Sequence, residues 1–313
     1  MSEKINTDVI MIGAGPSALS AAVYTTREDI KTILLEKGVI GGLAAITDQV
    51  DNYPGFPEGV TGLDLAEKLE KQAERFGADI RYGEVSAINA VDGGIEVKTA
   101  DELYYAKAAL IATGSDYKKI GVPGEEEFYG RGVHYCATCD GAFYRDKKLV
   151  VVGGGNSAIQ EALFLTRFAS HIDLLVRSTV KASEVLQKDL QKAVDEGKVS
   201  VHIGTTTDEI VGKENKVTSV IGTKDGEKVT FATDGVFVFV GLLPNTGFLE
   251  NTAVELDETG FIKTDKNLMT AIPGVFASGD VRSGATMQIA SAVGEGATAA
   301  LKIREYIEEQ ARS

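Results

Sequence analysis

The two cysteines of this 313-residue chain lie three positions apart, as Cys136 and Cys139 in the segment HYCATCDG. This CxxC spacing allows a short disulfide loop, and such motifs favour a lowered thiol pKa and reversible exchange with other disulfides. Asp140 follows the second thiol and can donate or accept the proton that dithiol chemistry moves. The segment therefore indicates a redox pair with an acid–base group beside it, although an aspartate here is also typical of a turn or a helix cap.

Other roles for the cysteines fit the sequence less well. A disulfide scaffold needs several spaced pairs, and this chain has two cysteines in all. A zinc site needs about four ligands. The remaining histidines, His171 and His202, lie far away in the sequence, and there is no second CxxC. We therefore expect no metal site.

A glycine-rich turn near the start of the chain predicts a nucleotide site. The segment GAGPSA, at 13–18, follows a buried apolar run and precedes a small-residue helical stretch, and the next apolar run ends at Glu36. A turn without side chains lets a pyrophosphate reach the helix N-terminus, and the carboxylate can accept hydrogen bonds from ribose hydroxyls. Many such turns bind nothing, but the strand, the helix and the acidic residue together favour a dinucleotide site. The candidate ligand residues are Gly13, Gly15, Pro16, Ala18 and Glu36.

The same pattern returns with GGGNSA at 153–158, whose first glycine lies 140 residues after Gly13, and a helical stretch through Phe168 follows it. The position equivalent to Glu36 is Val176, and Arg177 follows it. A guanidinium without a neighbouring carboxylate suits a 2′-phosphate, so this copy favours NADP(H) over NAD(H). The alternative is that Arg177 is a solvated charge at the end of a strand.

Composition limits the classes of protein. The chain is 43% apolar and 25% charged, ordinary for a globular protein, and its length fits about two domains of ~150 residues. Its net charge of −14 argues against a nucleic-acid partner. The N-terminal residues lack the apolar core of a signal peptide, and the longest uncharged run, 235–249, is too short to span a membrane. We expect a cytoplasmic protein without a membrane partner.

Apolar runs alternate with helical patterns along the whole chain, which is typical of the α/β class. The predicted helices outside the two nucleotide-binding segments are 63–76 and 290–308, and the predicted strands include 95–99, 199–203 and 236–240. The duplicated pattern predicts two Rossmann-like dinucleotide-binding domains.

Several motifs together resemble the low-molecular-weight thioredoxin reductases. The segment CATCDG at 136–141 is similar to the active-site sequence of that family, and its place between the two glycine-rich turns is specific. Further segments resemble the flavin loops, the interdomain crossings and the second FAD motif of the family: Gly13–Pro16, Asn52–Gly55, Ala112–Gly114, Gly241–Asn245 and Gly279–Asp280.

The resemblance implies an FAD domain formed by 1–117 plus 247–313, with an NAD(P)H domain that carries the cysteine pair, 118–246, inserted into it. It implies that Cys139 meets the flavin, that Cys136 attacks the disulfide of thioredoxin, and that Asp140 is the acid and base. It also implies a homodimer whose inserted domain rotates during the cycle. The further FAD residues would be Gly41, Gly42, Asn52, Ala112, Thr113, Gly114, Gly279, Asp280 and Gln288, and the NADPH residues would be Gly153, Gly155, Asn156, Ser157, Ala158, Arg177 and Lys181.

The electron donor is where the sequence departs from the family. The usual NADPH segment has a histidine and three arginines, whereas only Arg177 is in register here, with Lys181 as a point charge nearby. Near the flavin, Met287 and Leu43 stand where the family commonly has Arg and Gln. Two alternatives therefore stay open beside an NADPH-dependent thioredoxin reductase. One is a reductase that takes electrons from NADH or reduced ferredoxin, and the other is a flavin redox sensor without turnover.

Overall fold

The structure, a computed structural model, describes residues 4–47 and 49–312. It divides into two compact units, one formed by residues up to Asp116 together with those from Leu243 onward, and one formed by Tyr117–Leu242. The second unit is thus inserted into the first. The return crossing lies at 242–243, four residues before the boundary at 246–247 that the family resemblance implies.

Among the described residues, seven strands and three helices lead to the second unit, in the order strand, helix, strand, two helices and then five strands. The strands up to the first crossing are β1 (Lys4–Ile12), β2 (Thr32–Glu36), β3 (Asp79–Tyr82), β4 (Ala87–Val91), β5 (Gly94–Lys98), β6 (Leu103–Ile111) and β7 (Ser115–Tyr117). The helices in this part are α1 (Pro16–Thr26), α2 (Gly42–Ala45) and α3 (Gly62–Arg75).

The inserted unit alternates strands and helices and then adds an antiparallel hairpin region. Its strands are β8 (Val133–His134), β9 (Lys148–Val152), β10 (His171–Val176), β11 (Val199–Ile203), β12 (Thr205–Lys213), β13 (Lys216–Lys224), β14 (Glu227–Ala232) and β15 (Gly235–Val238). Its helices are α4 (Ala137–Asp140), a 3₁₀ turn (Gly141–Tyr144), α5 (Asn156–Leu165) and α6 (Glu184–Asp195). The chain returns through β16 (Leu242–Pro244) and a 3₁₀ turn (Gly247–Leu249) to β17 (Val275–Ala277) and α7 (Ile289–Arg312).

Parallel strands form the centre of each unit. In the first unit the sheet order is β3-β2-β1-β6-β5-β4, and β17 pairs with the end of β6. β1 is parallel to β2 and to β6, whereas β4, β5 and β6 form an antiparallel meander. In the inserted unit the parallel order is β11-β10-β9-β15-β8, and β12, β13 and β14 form a separate antiparallel sheet. Both arrangements fit Rossmann-like units, which confirms the predicted fold class.

Burial on both faces explains why β1 is a continuous apolar run. Val9 and Met11 pack in the core formed with α1 and α7, while Ile10 and Ile12 pack in the opposite core under the meander. Alternate residues of a strand point to opposite faces, so a strand covered on both sides needs apolar residues at every position. The strand is thereby held at the centre of the sheet, with its C-terminal end leading into the first glycine-rich turn.

Most predicted elements are found within a few residues of their expected ends. The helix expected at 63–76 is Gly62–Arg75, and the C-terminal helix extends to Arg312. The helix after the second glycine-rich turn, expected to continue to Phe168, ends at Leu165, and the next residues form a turn in which Phe168 N–H donates to Leu165 O. Within the described ranges, no helix is long and apolar enough to cross a membrane.

Small residues bring α1 and α7 together beneath the first glycine-rich turn. A Cβ added at Gly296 would lie 2.0 Å from the carbonyl oxygen of Ser17, so the helices approach at backbone distance there. The Ser17 hydroxyl also lies 2.6 Å from that of Ser278, which follows β17. These contacts fix the N-terminus of α1 against the segment at 278–280.

We expect Gly296→Ala to lower the free energy of unfolding by about 1–3 kcal/mol, because the methyl group must push α7 away from Ser17. Gly294→Ala, in the same helix with open space around its Cβ position, should instead be stabilising by up to about 1 kcal/mol. Urea unfolding of both variants measures this difference. Equal stability of the two variants would contradict the close approach.

Candidate functional site

Cys136 and Cys139 form a disulfide at the start of α4, which confirms the predicted pairing of the two residues. Cys136 is the N-cap of this short helix, and its Sγ accepts the Cys139 backbone N–H at 3.2 Å. Both residues are partly exposed. Among residues 4–47 and 49–312 there is no group of three histidine, cysteine or acidic side chains that could hold a metal ion. The pair is thus open to exchange with other thiols and disulfides.

A carboxylate, an imidazole and a phenol follow one another beside this disulfide. The Asp140 Oδ2 lies 3.3 Å from His134 Nδ1, and His134 Nε2 lies 2.7 Å from the Tyr144 hydroxyl. Burial, and then the charges of Asp140 and Asp234, raise the pKa of Tyr144, so the phenol keeps its proton. Asp140, expected from the sequence as the acid–base group, therefore has an ionisable neighbour that the sequence analysis did not identify.

The segment just before Cys136 is held by a buried carboxylate. Glu125 is 1% exposed and accepts the backbone N–H groups of Ile120 and Gly121 at 2.9 and 2.7 Å. It also accepts the Tyr135 hydroxyl at 2.8 Å. Burial and this carboxylate raise the pKa of Tyr135, which therefore stays a donor. These bonds anchor the residue next to Cys136 from within the inserted unit.

The first glycine-rich turn brings β1 against neighbouring backbone. Gly13 has φ +101°, and a Cβ there would lie 2.5 Å from the Ala112 carbonyl oxygen. Gly15 is the N-cap of α1 without a side-chain cap, and nothing lies within 4 Å of its Cβ position. Pro16 begins the helix and Ala18 is fully buried beneath it. The turn thus leaves helix N–H groups open, which suits a pyrophosphate.

Glu36 is tied to this turn by both carboxylate oxygens. Its Oε2 accepts the Ala14 N–H and its Oε1 accepts the Gly38 N–H, each at 2.8 Å. It also lines a cavity of about 350 Å³ with residues from several loops of the first unit. Each carboxylate oxygen has a second lone pair, so Glu36 can still accept a hydroxyl hydrogen bond. The cavity is lined by Gly13, Glu36, Val85, Thr113, Asn245 and Phe248, among others.

Most of the remaining residues expected at the flavin site lie around the same turn. Gly41 N–H donates to Ala14 O at 2.8 Å, and the Gly42 Cβ position lies 4.0 Å from the Gly15 Cα. Thr113 follows Ala112, and its hydroxyl donates to the carbonyl of Asn245. Gly114 accepts the Asn245 N–H through its carbonyl. Asn245 was expected only at a crossing, and the structure adds it to this site.

A second group lies where β17 meets α7. The Gly279 Cβ position is 3.0 Å from Ser17 Cβ, and Gly279 N–H donates to Glu295 at 2.9 Å. Burial, and then the charge of Glu295, raise the pKa of Asp280 to about 6. Farther along the chain, Asn52 donates to Gln288 at 3.1 Å. The structure therefore joins Gly279 to the first turn and pairs Asn52 with Gln288 separately.

The second glycine-rich turn repeats the geometry of the first. A Cβ at Gly153, where φ is +143°, would lie 2.3 Å from the Phe239 carbonyl oxygen. Gly155 is the N-cap of α5 without a side-chain cap. Ser157 is exposed in the first turn of α5, and Ala158 is buried behind it.

The loop after β10 is attached to this turn at two points. Lys181 N–H donates to Gly154 O at 2.6 Å, and Ser183 N–H donates to Asn156 Oδ1 at 2.8 Å. The side chains of Arg177 and Lys181 are exposed. The loop therefore carries two exposed cations, and its backbone is hydrogen-bonded to the second glycine-rich turn. Sequence patterns did not reveal the role of Asn156 in holding the loop.

Comparisons with known proteins agree with this geometry. Residues 7–296 match the pyridine nucleotide-disulphide oxidoreductase family. A thioredoxin reductase from Bacillus subtilis is 44% identical over 99% of this chain and 97% of its own length, and one from Listeria innocua is 43% identical over 98% and 96%. The solved thioredoxin reductase of Streptococcus pyogenes is 39% identical, with a TM-score of 0.91 over 98% of this chain and 100% of that one. That of Giardia duodenalis is 31% identical, with a TM-score of 0.91 over 97% and 99%.

The raised pKa of Asp280 predicts a pH-dependent stability of the ligand-free protein. Because the folded state holds the proton more tightly than the unfolded state, this group lowers stability as the pH rises from about 4 to about 6. At about pH 7.5 we expect the free energy of unfolding of Asp280→Asn to exceed that of the parent protein by about 2 kcal/mol. This difference should shrink toward pH 5.

Urea unfolding across this pH range measures the difference, with Asp116→Asn, at an exposed aspartate, as the control. A stability gap for Asp280→Asn that does not depend on pH would contradict the shift.

Proposed function

The chain belongs to the pyridine nucleotide-disulphide oxidoreductase family, as a thioredoxin reductase, and on that premise we propose that it passes electrons from NADPH through FAD to the Cys136–Cys139 disulfide and on to thioredoxin. The observation that carries this proposal is the disulfide beside Asp140 in a chain with two open glycine-rich turns. A flavin enzyme that passes electrons from a nicotinamide dinucleotide to protein disulfides needs both features.

The first unit fits FAD. Its cavity of about 350 Å³ provides space for an adenosine. Gly13 has no side chain to block the turn, and the uncapped N-terminus of α1 offers N–H donors to the phosphates. Glu36 would accept the ribose hydroxyls, and Asp280 would meet the ribityl chain. The other residues proposed to hold FAD are Gly13, Gly15, Pro16, Ala18, Gly41, Gly42, Asn52, Ala112, Thr113, Gly114, Gly279 and Gln288.

The inserted unit fits a nicotinamide dinucleotide that carries a 2′-phosphate. The N-terminus of α5 is open at Gly155, and the loop with Arg177 and Lys181 is fixed to the same turn. Two cations without a neighbouring carboxylate at the strand end favour the 2′-phosphate of NADPH. The residues proposed to hold NADPH are Gly153, Gly155, Asn156, Ser157, Ala158, Arg177 and Lys181. We propose that the inserted unit, expected at 118–246 and found at 117–242, is the NAD(P)H-binding domain, and that the first unit is the FAD-binding domain.

When bound, the flavin supplies the electron pair that, with two protons, converts the Cys136–Cys139 disulfide into two thiols. The Cys136 thiol gives its proton to Asp140, and the resulting thiolate attacks one sulfur of the thioredoxin disulfide; the released thioredoxin thiolate then takes that proton from Asp140. The Cys139 thiol next gives its proton to Asp140 and attacks the Cys136 sulfur in the mixed disulfide. That attack restores the enzyme disulfide and releases the second thioredoxin thiolate, which takes the proton from Asp140.

The partner proposed from this chemistry is thioredoxin or a thioredoxin-like protein. We also propose a homodimer and a cytoplasmic location, in keeping with the family resemblance. The net charge of −14 supports a protein partner rather than a nucleic acid.

Replacing either cysteine tests the proposed reaction. We expect Cys136→Ser and Cys139→Ser each to lower the turnover of a thioredoxin disulfide by at least about 100-fold while FAD content stays unchanged, because the exchanging pair is lost. NADPH oxidation coupled to thioredoxin reduction measures turnover, and Thr138→Ser, between the two cysteines, is the matched control. Unchanged turnover in either cysteine variant would refute the reaction, whereas sustained turnover of the parent protein excludes a sensor that only switches.

One observation favours a second candidate, a thioredoxin reductase with NADH or reduced ferredoxin as donor. Of the three arginines usual in the NADPH segment of the family, only Arg177 is in register, with Lys181 nearby in the sequence. Anaerobic addition of NADPH, NADH and reduced ferredoxin in turn, followed by flavin absorbance, separates the donors. Rapid flavin bleaching by NADPH alone supports the leading proposal, and bleaching by ferredoxin alone refutes it.

If NADPH is the donor, Arg177→Ala and Lys181→Ala should each raise the KM for NADPH about 10-fold, because each removes a charged hydrogen-bond donor to the 2′-phosphate. The KM for NADH should stay within about twofold, since that cofactor lacks the phosphate. Lys216→Ala removes an exposed cation from β13 and serves as the control for net charge. Equal effects on both cofactors would place these side chains outside the phosphate site.

A further inference from the structure

His134 lies between Asp140, the residue after Cys139, and the hydroxyl of Tyr144. It ends β8, two residues before Cys136, and is 7% exposed. Its Nδ1 faces Asp140 at 3.3 Å, and its Nε2 faces the Tyr144 hydroxyl at 2.7 Å. The imidazole therefore connects the proposed acid–base carboxylate to a buried phenol.

The partners of the ring determine where its proton lies. A neutral imidazole has one N–H and one acceptor nitrogen. The Tyr144 phenol keeps its proton, because burial and two nearby aspartates oppose its ionisation, and the Asp140 carboxylate can only accept, so both contacts are satisfied when the phenol donates to Nε2. The remaining proton then lies on Nδ1, the ring nitrogen 3.3 Å from the Asp140 carboxylate. In the imidazolium form Nδ1 also carries a proton, so this contact is present in both charge states.

Packing leaves the imidazole little freedom to leave this position. The rings of Tyr144 and Phe237 lie 5.3 and 5.2 Å from it, centroid to centroid. Gly235 allows the tyrosine to approach, since a Cβ there would lie 2.4 Å from its ring. The titratable groups next to His134 are Asp140 from α4 and Tyr144 from the 3₁₀ turn. From β15, the neighbour is Phe237, which does not titrate. Asp234 precedes that strand, and its charge raises the pKa of Tyr144.

We propose that His134 is a positioning residue for thiol–disulfide exchange: its Nδ1–H holds the Asp140 carboxylate beside the cysteine pair, and Tyr144 fixes the tautomer that makes this contact. The inference rests on the proposed function, because it assigns a role through Asp140. An imidazole N–H also offsets part of the carboxylate charge, and this makes formation of a neighbouring thiolate less costly.

Two substitutions of His134 distinguish the contact made by Nδ1 from the contact made by Nε2. The amide of His134→Asn lies near the position of Nδ1 and can still donate to Asp140, whereas the amide of His134→Gln reaches toward Nε2 and Tyr144. In the holoenzyme reduced with dithiothreitol, the rate of alkylation by iodoacetamide against pH reports thiolate formation. We expect the Gln variant to shift the midpoint upward by about half a pH unit, which is about threefold slower alkylation below the midpoint.

The steady-state constants give a second readout. With thioredoxin as substrate, we expect the Gln variant to lose about five- to tenfold in kcat with KM changed less than about twofold, because docking does not use this ring. The Asn variant should stay within about twofold of the parent protein in both constants. His171→Gln, at a partly exposed histidine of β10, is the matched control.

Equal losses in the Asn and Gln variants, or a Gln variant identical to the parent protein, would overturn the proposal. If the Gln variant does not fold, Tyr144→Phe keeps the ring packing and removes the donor to Nε2, and an unchanged alkylation profile in that variant overturns the proposal as well. The Cys136→Ser variant distinguishes a failure of the proposed function from a failure of the role proposed for His134. Its full activity would remove the proposed function, whereas an inactive Cys136→Ser beside a normal His134→Gln removes only the role of His134.

Discussion

The structure depends on two turns at which a strand ends too close to neighbouring backbone for any side chain. Gly13 meets the Ala112 carbonyl and Gly153 meets the Phe239 carbonyl at distances that a Cβ could not occupy. Each turn then begins a helix without a side-chain cap, so N–H groups stay available to an anion. A residue with a side chain at either position would separate the strand from its neighbour and block the approach of a phosphate.

The elements around each turn are built to keep it in place. β1 is covered on both faces, and α7 contacts α1 at backbone distance through Gly296. In the inserted unit, hydrogen bonds from Lys181 and Ser183 attach the following loop to the turn itself. Rigid packing thus supports the binding segments, while the side chains that would select a particular nucleotide stay exposed on loops.

The cysteine pair has a different kind of support, based on buried polar groups. Glu125 and Tyr135 fix the chain just before Cys136, and His134 and Tyr144 lie behind Asp140. Hydrogen bonds in a low-dielectric setting are strong and directional, so they hold a carboxylate more closely than apolar packing does. The segment that carries the cysteine pair is therefore held by neighbours that have no motif of their own.

Local patterns in the sequence determined the α/β class, the two glycine-rich turns, the cysteine pair and the ends of most helices and strands, because each depends on neighbouring residues and on periodicity. The helix after the second turn was placed three residues too long, since nothing in its apolar pattern marks the turn after Leu165. Only the tertiary structure brought His134 to Asp140 and Tyr144, Asn156 to Ser183, and Asn245 to Thr113. These contacts join separate elements, and their distances depend on how strands and helices pack rather than on any spacing along the chain.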